Sequence, residues 1–319
     1  MPDAEMKVLI TGGMGVMGSE AVRKFVQEGF RPVIYARHRD ERLVADILDK
    51  IDIELGDILD LPRLLQAIKT HGITHIVHAA AFVGAVSAKN PALSIQVNVM
   101  GMVNVLEAAR LFEIRRLVYT SAKGVYGPVT GEHGHPSFKP LPEDHPKNPV
   151  RIYDSAKLMG EYAGLYYQAN LGLDVAVLRF ATTYGPGKTA RHGDKAVTSE
   201  LIEGVARGKP FRLAQGGDKI DDHIYIKDCA QGIYLATVAP ELKSRVYNIG
   251  SGAGVTLQDF ARVLRAHFPR ADIEIGPGRT PSNIYDLTRA RRELGYEPQF
   301  DLERGIADYL ERLKHLPPA

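Results

Sequence analysis

Lys7-Val8-Leu9-Ile10-Thr11-Gly12-Gly13-Met14-Gly15-Val16-Met17-Gly18 decides the fold. Lys7–Thr11 reads as a buried β-strand, and apolar residues at helical spacing follow over roughly 15–28. A strand that passes through glycines straight into a helix aims unpaired helix N–H groups and the positive dipole end past the strand terminus. That arrangement binds phosphate. Glycines at 12, 15 and 18 permit a tight turn, close approach of a pyrophosphate and close packing of the helix. Gly12, Gly15, Val16, Met17 and Gly18 are therefore expected to form a dinucleotide loop.

Outward from this unit, strands are expected over 32–36, 51–55, 74–78, 116–120 and 173–179, with helical spacing over 43–50, 61–71, 91–112 and 152–169. Nearly continuous apolar strands alternating with helices imply a parallel sheet covered on both faces. Right-handed crossovers then give a doubly wound α/β (Rossmann) fold. After Arg179 the pattern becomes mixed. A Tyr184-Gly185-Pro186-Gly187 loop, a helix near 198–207, a short strand at 224–226 and a helix capped by Asp228 follow, then a strand at 246–249. Helices open at Thr256, Thr288 and Leu302. The expected division is a dinucleotide-binding domain over 1–180 and a smaller α/β substrate-binding portion over 181–319, the chain crossing back to the sheet around 220–250.

Composition narrows the function. The 319 residues carry 40 Lys+Arg against 38 Asp+Glu, a net charge of +2 without long runs of one sign. Nucleic-acid or membrane-surface partners gain no electrostatic support from this balance. Cys229 is the single cysteine, so no internal disulfide forms and a reducing cytoplasm fits. Neither a signal peptide nor a membrane helix is expected. The histidines at 133, 135, 145, 192 and 223 have no metal-ligand spacing, so no metal is expected.

The second strand ends Ile34-Tyr35-Ala36-Arg37-His38-Arg39. An acid here reads the adenosine ribose of NAD, whereas an Arg accommodates the additional phosphate of NADP. Ala36 followed by Arg37 favours NADP, with NAD possible and Arg39 as an accessory cation. Asp57-Ile58 suits the adenine, and Ala79-Ala80-Ala81 lets the cofactor lie close to the fourth strand. Asn98, inside an apolar helix, is included on the cofactor side, with a structural tie as its stronger reading. Tyr153 and Lys157 share a helix face at i and i+4. A neighbouring ammonium favours phenolate, which takes a hydroxyl proton as hydride leaves.

Together, Thr11–Gly18, Asp57-Ile58, His78–Ala81, Val125-Tyr126-Gly127, Tyr153/Lys157, Arg179 with Tyr184-Gly185-Pro186, and Arg292–Pro298 resemble an extended short-chain dehydrogenase/reductase of the NAD(P)-dependent epimerase/dehydratase family. The resemblance covers nearly the whole chain. It implies substrate binding at the junction of the two portions and homodimerisation through helices near 91–113 and 150–171. Three positions depart from the family pattern. Ala122 stands where a Ser or Thr binds the reacting oxygen, with Ser121 or Lys123 as substitutes. Thr182 stands where Asn faces a nucleotide sugar. Asp221 stands where Arg faces a diphosphate, with Arg191 or Arg279 able to compensate, and Arg191-His192 lies in a loop suited to a polar substrate. The leading expectation is a cytoplasmic NADP-preferring oxidoreductase acting on a hydroxyl or ketone of a small polar substrate, a sugar derivative or hydroxy acid. A nucleotide-sugar epimerase or dehydratase is the alternative, and a catalytically weakened dinucleotide-binding protein is the third.

Overall fold

The computed structural model describes residues 5–189 and 196–316. Seven strands make one parallel sheet: β1 (Val8–Thr11), β2 (Val33–Ala36), β3 (Asp52–Leu55), β4 (His75–His78), β5 (Arg116–Ala122), β6 (Val175–Phe180) and, from the second half, a strand at Val246–Ile249. Their order is Val246–Ile249, then β6-β5-β4-β1-β2-β3. The chain winds outward in both directions from β1, so the order reverses between β1 and β4. A doubly wound sheet opens its ligand crevice at such a point.

Side chains alternate across the sheet and sort into two cores. Val8 and Ile10 join the larger core, whereas Leu9 between them joins the core on the other face. The larger core also takes Phe25 from α1 (Val16–Gln27). The second takes Leu64 and Ile68 from α2 (Leu61–His71) and Met102, Val105 and Leu106 from α3 (Pro91–Leu111). Helix α2 begins where the Asp60 carboxylate accepts the Arg63 N–H at 3.0 Å, and ends on Gly72 at φ +59°. By length and mean hydropathy (1.3) α3 could cross a membrane, which the sequence reading did not anticipate; half of its apolar window is buried in this fold. Helix α4 (Ile152–Leu171) packs beside α3.

The second half adds two smaller sheets and helices against this body, and returns the strand at Val246–Ile249 to the main sheet. Its elements are β7 (Thr182–Tyr184), α5 (Val197–Ala206), β8 (Phe211–Leu213), β9 (Asp221–Tyr225), α6 (Ile226–Val238), the sheet strand β10 (Val246–Ile249), β11 (Gly254–Val255), α7 (Leu257–His267), β12 (Ile273–Ile275), α8 (Thr288–Leu294) and α9 (Leu302–Leu313). β7 runs parallel to β9, with Thr182 opposite His223, and β9 also pairs with β11. A capping box closes α7, Thr256 and Asp259 each accepting the other's backbone N–H.

Three local expectations need correction. Residues 43–50 form 3₁₀ turns rather than an α-helix, because Ile47 at φ −130° interrupts the helical path. The strand at 224–226 is β9, and Ile226 already starts α6. Asp228 does not cap its helix. It lies inside the first turn, buried, and accepts the N–H groups of Gln299 (2.8 Å) and Phe300 (3.1 Å), fastening a distant segment instead.

Candidate active site

At the β1/β4 reversal lies a cleft of about 430 Å³. Gly12 sits at φ +68°, and a Cβ there would lie 2.7 Å from the Ala80 backbone, so only glycine admits both the turn and the approach of the chain after β4. A Cβ on Gly18 would collide with the Gly12 carbonyl. Gly15 is the N-cap of α1 and supplies no side-chain cap, which leaves the first-turn N–H groups facing the cleft. A backbone cradle closed to side chains at 12 and 18 and uncapped at 15 fits a pyrophosphate.

Gly12, Gly15, Val16, Met17, Gly18, Arg37, Asp57, Ile58, Ala79, Ala80, Ala81, Tyr153 and Lys157 all line this cleft. Arg37 is exposed at its mouth, 4.0 Å from the Asp57 carboxylate. Arg39 is not at the cleft wall and pairs with Glu41. Asn98 is not at the wall either. At the centre of a π-turn in α3 (Gln96–Met100), its amide accepts the Phe82 N–H (2.8 Å) and donates to the Phe82 carbonyl (3.0 Å). It holds the chain after β4 in place, and Phe82, which the sequence reading passed over, lines the cleft.

Tyr153 and Lys157 enter from α4. Lys157 is 2 % exposed and donates to the Thr120 carbonyl at 2.7 Å, with its ammonium 5.9 Å from the centre of the Tyr153 ring. Burial pulls its pKa down to about 7, against the opposing pull of Glu161. Tyr153 is pushed well above the ordinary phenol range, first by burial and then by Asp154, with Arg151 opposing. One turn beyond Lys157, Glu161 accepts the Ser121 hydroxyl (2.5 Å) and the Arg179 guanidinium (2.6 Å). Arg179 also reaches the Tyr126 hydroxyl and the Glu143 carbonyl, both at 2.9 Å.

The wall beyond β5 and β6 differs from expectation. Ser121 borders the cleft, yet its hydroxyl proton is committed to Glu161. Ala122 ends β5 and offers no polar atom. Lys123 is turned onto Asp221. Thr182 donates to the same carboxylate at 3.0 Å, Ser282 donates at 2.7 Å and Lys219 pairs with it at 2.9 Å. Asp221 is therefore no free carboxylate set to repel a diphosphate. It is 2 % exposed and held strongly ionised even against burial, by Lys123, Lys219 and His223. Arg279 is exposed and donates to His135, while Arg191 and His192 lie outside the described residues. Among the described residues no cluster of side chains is set to hold a metal.

The NAD dependent epimerase/dehydratase family profile matches residues 8–250. The chain belongs to that family. It is an NAD(P)-dependent enzyme of the extended short-chain dehydrogenase/reductase type. A UDP-glucose 4-epimerase of Mycolicibacterium smegmatis is 29% identical over 96% of this chain and 98% of its own. A dTDP-glucose 4,6-dehydratase of Streptomyces griseus is also 29% identical, over 94% of this chain and 92% of its own. Among solved structures, the Thermus thermophilus UDP-glucose 4-epimerase in complex with NAD superposes with a TM-score of 0.84 at 26% identity, covering 97% of this chain and 99% of that one.

Within this epimerase/dehydratase-family chain, sequence reading missed Glu161, although its place one turn after Lys157 was a usable signal. It also missed Lys188, Ser282 and Asn283, which no local motif marks and which only folding brings beside β9.

Proposed function

We propose that this enzyme oxidises a secondary hydroxyl, or reduces the matching ketone, of a small polar substrate, with Tyr153 as the proton-transfer group. The placement of Tyr153 beside the buried Lys157 on the cleft wall carries the reading. The glycine loop would hold the pyrophosphate of the cofactor, Asp57 and Ile58 would take its adenine, and Ala79–Ala81 would line the path to Tyr153. When bound, the nicotinamide ring exchanges hydride with the substrate carbon. Tyr153 takes the hydroxyl proton in oxidation and returns it in reduction, while Lys157, anchored on the Thr120 carbonyl, stabilises phenolate charge. Arg37 beside Ala36 supports NADP over NAD, although the Thermus relative is a complex with NAD. Steady change in nicotinamide absorbance with an exchangeable cofactor supports net oxidoreduction. Absence of net change while a nucleotide sugar is isomerised overturns it in favour of the second reading, epimerisation or dehydration, which the named relatives support.

Exposed Leu93 and Met100 on α3, and Met159, Tyr162 and Tyr166 on α4, support a homodimer through these two helices. Light scattering at the monomer mass would remove that assembly. A single buried cysteine fits the cytoplasm, and a division near residue 180 matches the change from parallel sheet to mixed elements.

A further inference from the structure

Beyond the ends of β5 and β6, the wall described above collects more cations than anions. Lys123 and Lys219 meet the Asp221 carboxylate. A third amine, Lys188, is 8 % exposed and reaches only the Thr183 carbonyl among the described residues. Thr183 lies on β7 opposite Ile224 of β9, and Lys188 is close enough to Asp221 and His223 of that strand to interact electrostatically with both. Burial lowers the Lys188 pKa to about 8, against the opposing pull of Cys229 and Asp221. Unpartnered polar atoms lie on the same wall. Among the described residues, the Asn283 amide oxygen, on a residue 2 % exposed whose backbone carbonyl faces Lys123, and the buried His223 Nδ1 make no hydrogen bond. Buried polar atoms without partners are rare and mark places where a ligand completes the bonding. A buried ammonium facing one neutral carbonyl is completed best by an anion.

We propose that Lys188, with Lys123 and Lys219 behind it, binds a compact anionic group on the substrate, so that the substrate is a polyhydroxylated acid or phosphate monoester. The proposal rests on the hydroxyl-oxidation reading and adds the substrate class. Asn283 and His223 then meet hydroxyl groups, and Asp221 keeps the two flanking lysines charged without leaving a free carboxylate in the wall. A nucleoside diphosphate is a poorer match, because its charge is spread along a chain and the Lys188 ammonium is enclosed.

The test uses the full-length, NADP-loaded protein and calorimetric titration with gluconate, glucose 6-phosphate, sorbitol and UDP-glucose. These share a six-carbon skeleton and differ in charge. One of the two compact anions should bind, carboxylate and phosphate monoester being separated by which one does, and sorbitol should not. Lys188→Met should weaken that binding by about tenfold or more, the loss of one charge-assisted contact. Lys188→Arg should retain the preference for charge. NADP titration and thermal melting of each variant show that the fold is kept. Sorbitol binding as tightly as the anions, binding of UDP-glucose alone, binding of neither anion, or indifference to Lys188→Met in a folded variant would each overturn the proposal. Following nicotinamide absorbance in the same mixtures separates the two readings. Anion binding without turnover sinks the oxidoreductase reading alone, and turnover of sorbitol sinks this one alone.

Discussion

The cofactor cleft and the wall beyond β5 and β6 are built by opposite means. The cleft is a backbone device in which residues 12–18 form one continuous turn and the chain after β4 closes it from the other side. Its chemistry is that of N–H groups at a helix end, so it needs glycines more than functional side chains. The wall is a side-chain device. Lys123, Thr182, Lys219, Asp221 and Ser282 come from four stretches of chain and meet through one carboxylate. Changes in the cleft should therefore alter affinity locally, whereas changes in the wall should spread into stability and specificity.

The largest expected effect falls on the proton-transfer group proposed at the cleft. Tyr153→Phe removes the exchangeable proton and keeps the ring, so turnover should fall by about 10²–10⁴-fold. Fluorescence titration should show dinucleotide affinity within a few-fold of the parent. Turnover near the parental rate would mean that another group moves the proton.

Asp221→Ala probes the wall. It strands Lys123 and Lys219 in a partly closed site and leaves the Thr182 and Ser282 hydroxyls unpaired. Loss of one partner of a buried ion pair typically costs about 3–5 kcal/mol. Chemical denaturation should show a loss of that order, reduced toward its lower bound because Lys219 is one-third exposed. A loss no larger than that of a surface substitution would show that the wall is not a unit, and the contrast with the cleft would fail.

How much was legible follows the same division. Gly12 and Met14–Gly18, Asp57-Ile58 and Ala79–Ala81 could be placed at one cleft because strand-loop-helix order fixes where each short segment points. Asn98 was half-readable. A buried amide must find partners, but no local signal says that the partners are the two backbone groups of Phe82. Asp221 misled, because its neutralising partners lie at positions 123 and 219, the first of them 98 residues away. Asp228 misled through a good local rule. A carboxylate near a helix start usually caps it, but here the N–H groups of Gln299 and Phe300 outbid the helix's own. The seven strands survived such errors because they depend on runs of apolar residues rather than on single contacts.

Arg37→Ala sharpens the comparison from the cleft side. A charge-assisted bond to the additional phosphate contributes about 1.5–3 kcal/mol, and the exposure of Arg37 places the effect at the low end. Titration should show NADP weakened by about tenfold and NAD hardly changed. Equal affinity of the parent for both cofactors would remove Arg37 as a phosphate reader. Because the side chain touches no core, melting temperature should be unaffected, unlike that of Asp221→Ala.

The smallest expected effect runs opposite to intuition. Burial lowers the pKa of Lys157 from the ordinary 10.5 to about 7. Between those values the unfolded chain binds a proton there that the folded chain does not, so stability from this group rises with pH across the window. Below pH 7 both states are protonated and the full penalty of a buried ammonium remains. Lys157→Met keeps most of the apolar stem and removes the charge, at the cost of the bond to the Thr120 carbonyl. In cofactor-free protein the variant should melt a few degrees higher than the parent below pH 7, with the gain shrinking as pH approaches 10. Its turnover should be severely reduced, because the phenolate loses its neighbouring cation. Calorimetric melts at several pH values decide the matter. A destabilised variant at low pH, or a gain that does not change with pH, would show that Lys157 is held by compensating contacts, and the site would not be storing unfavourable electrostatics for use in catalysis.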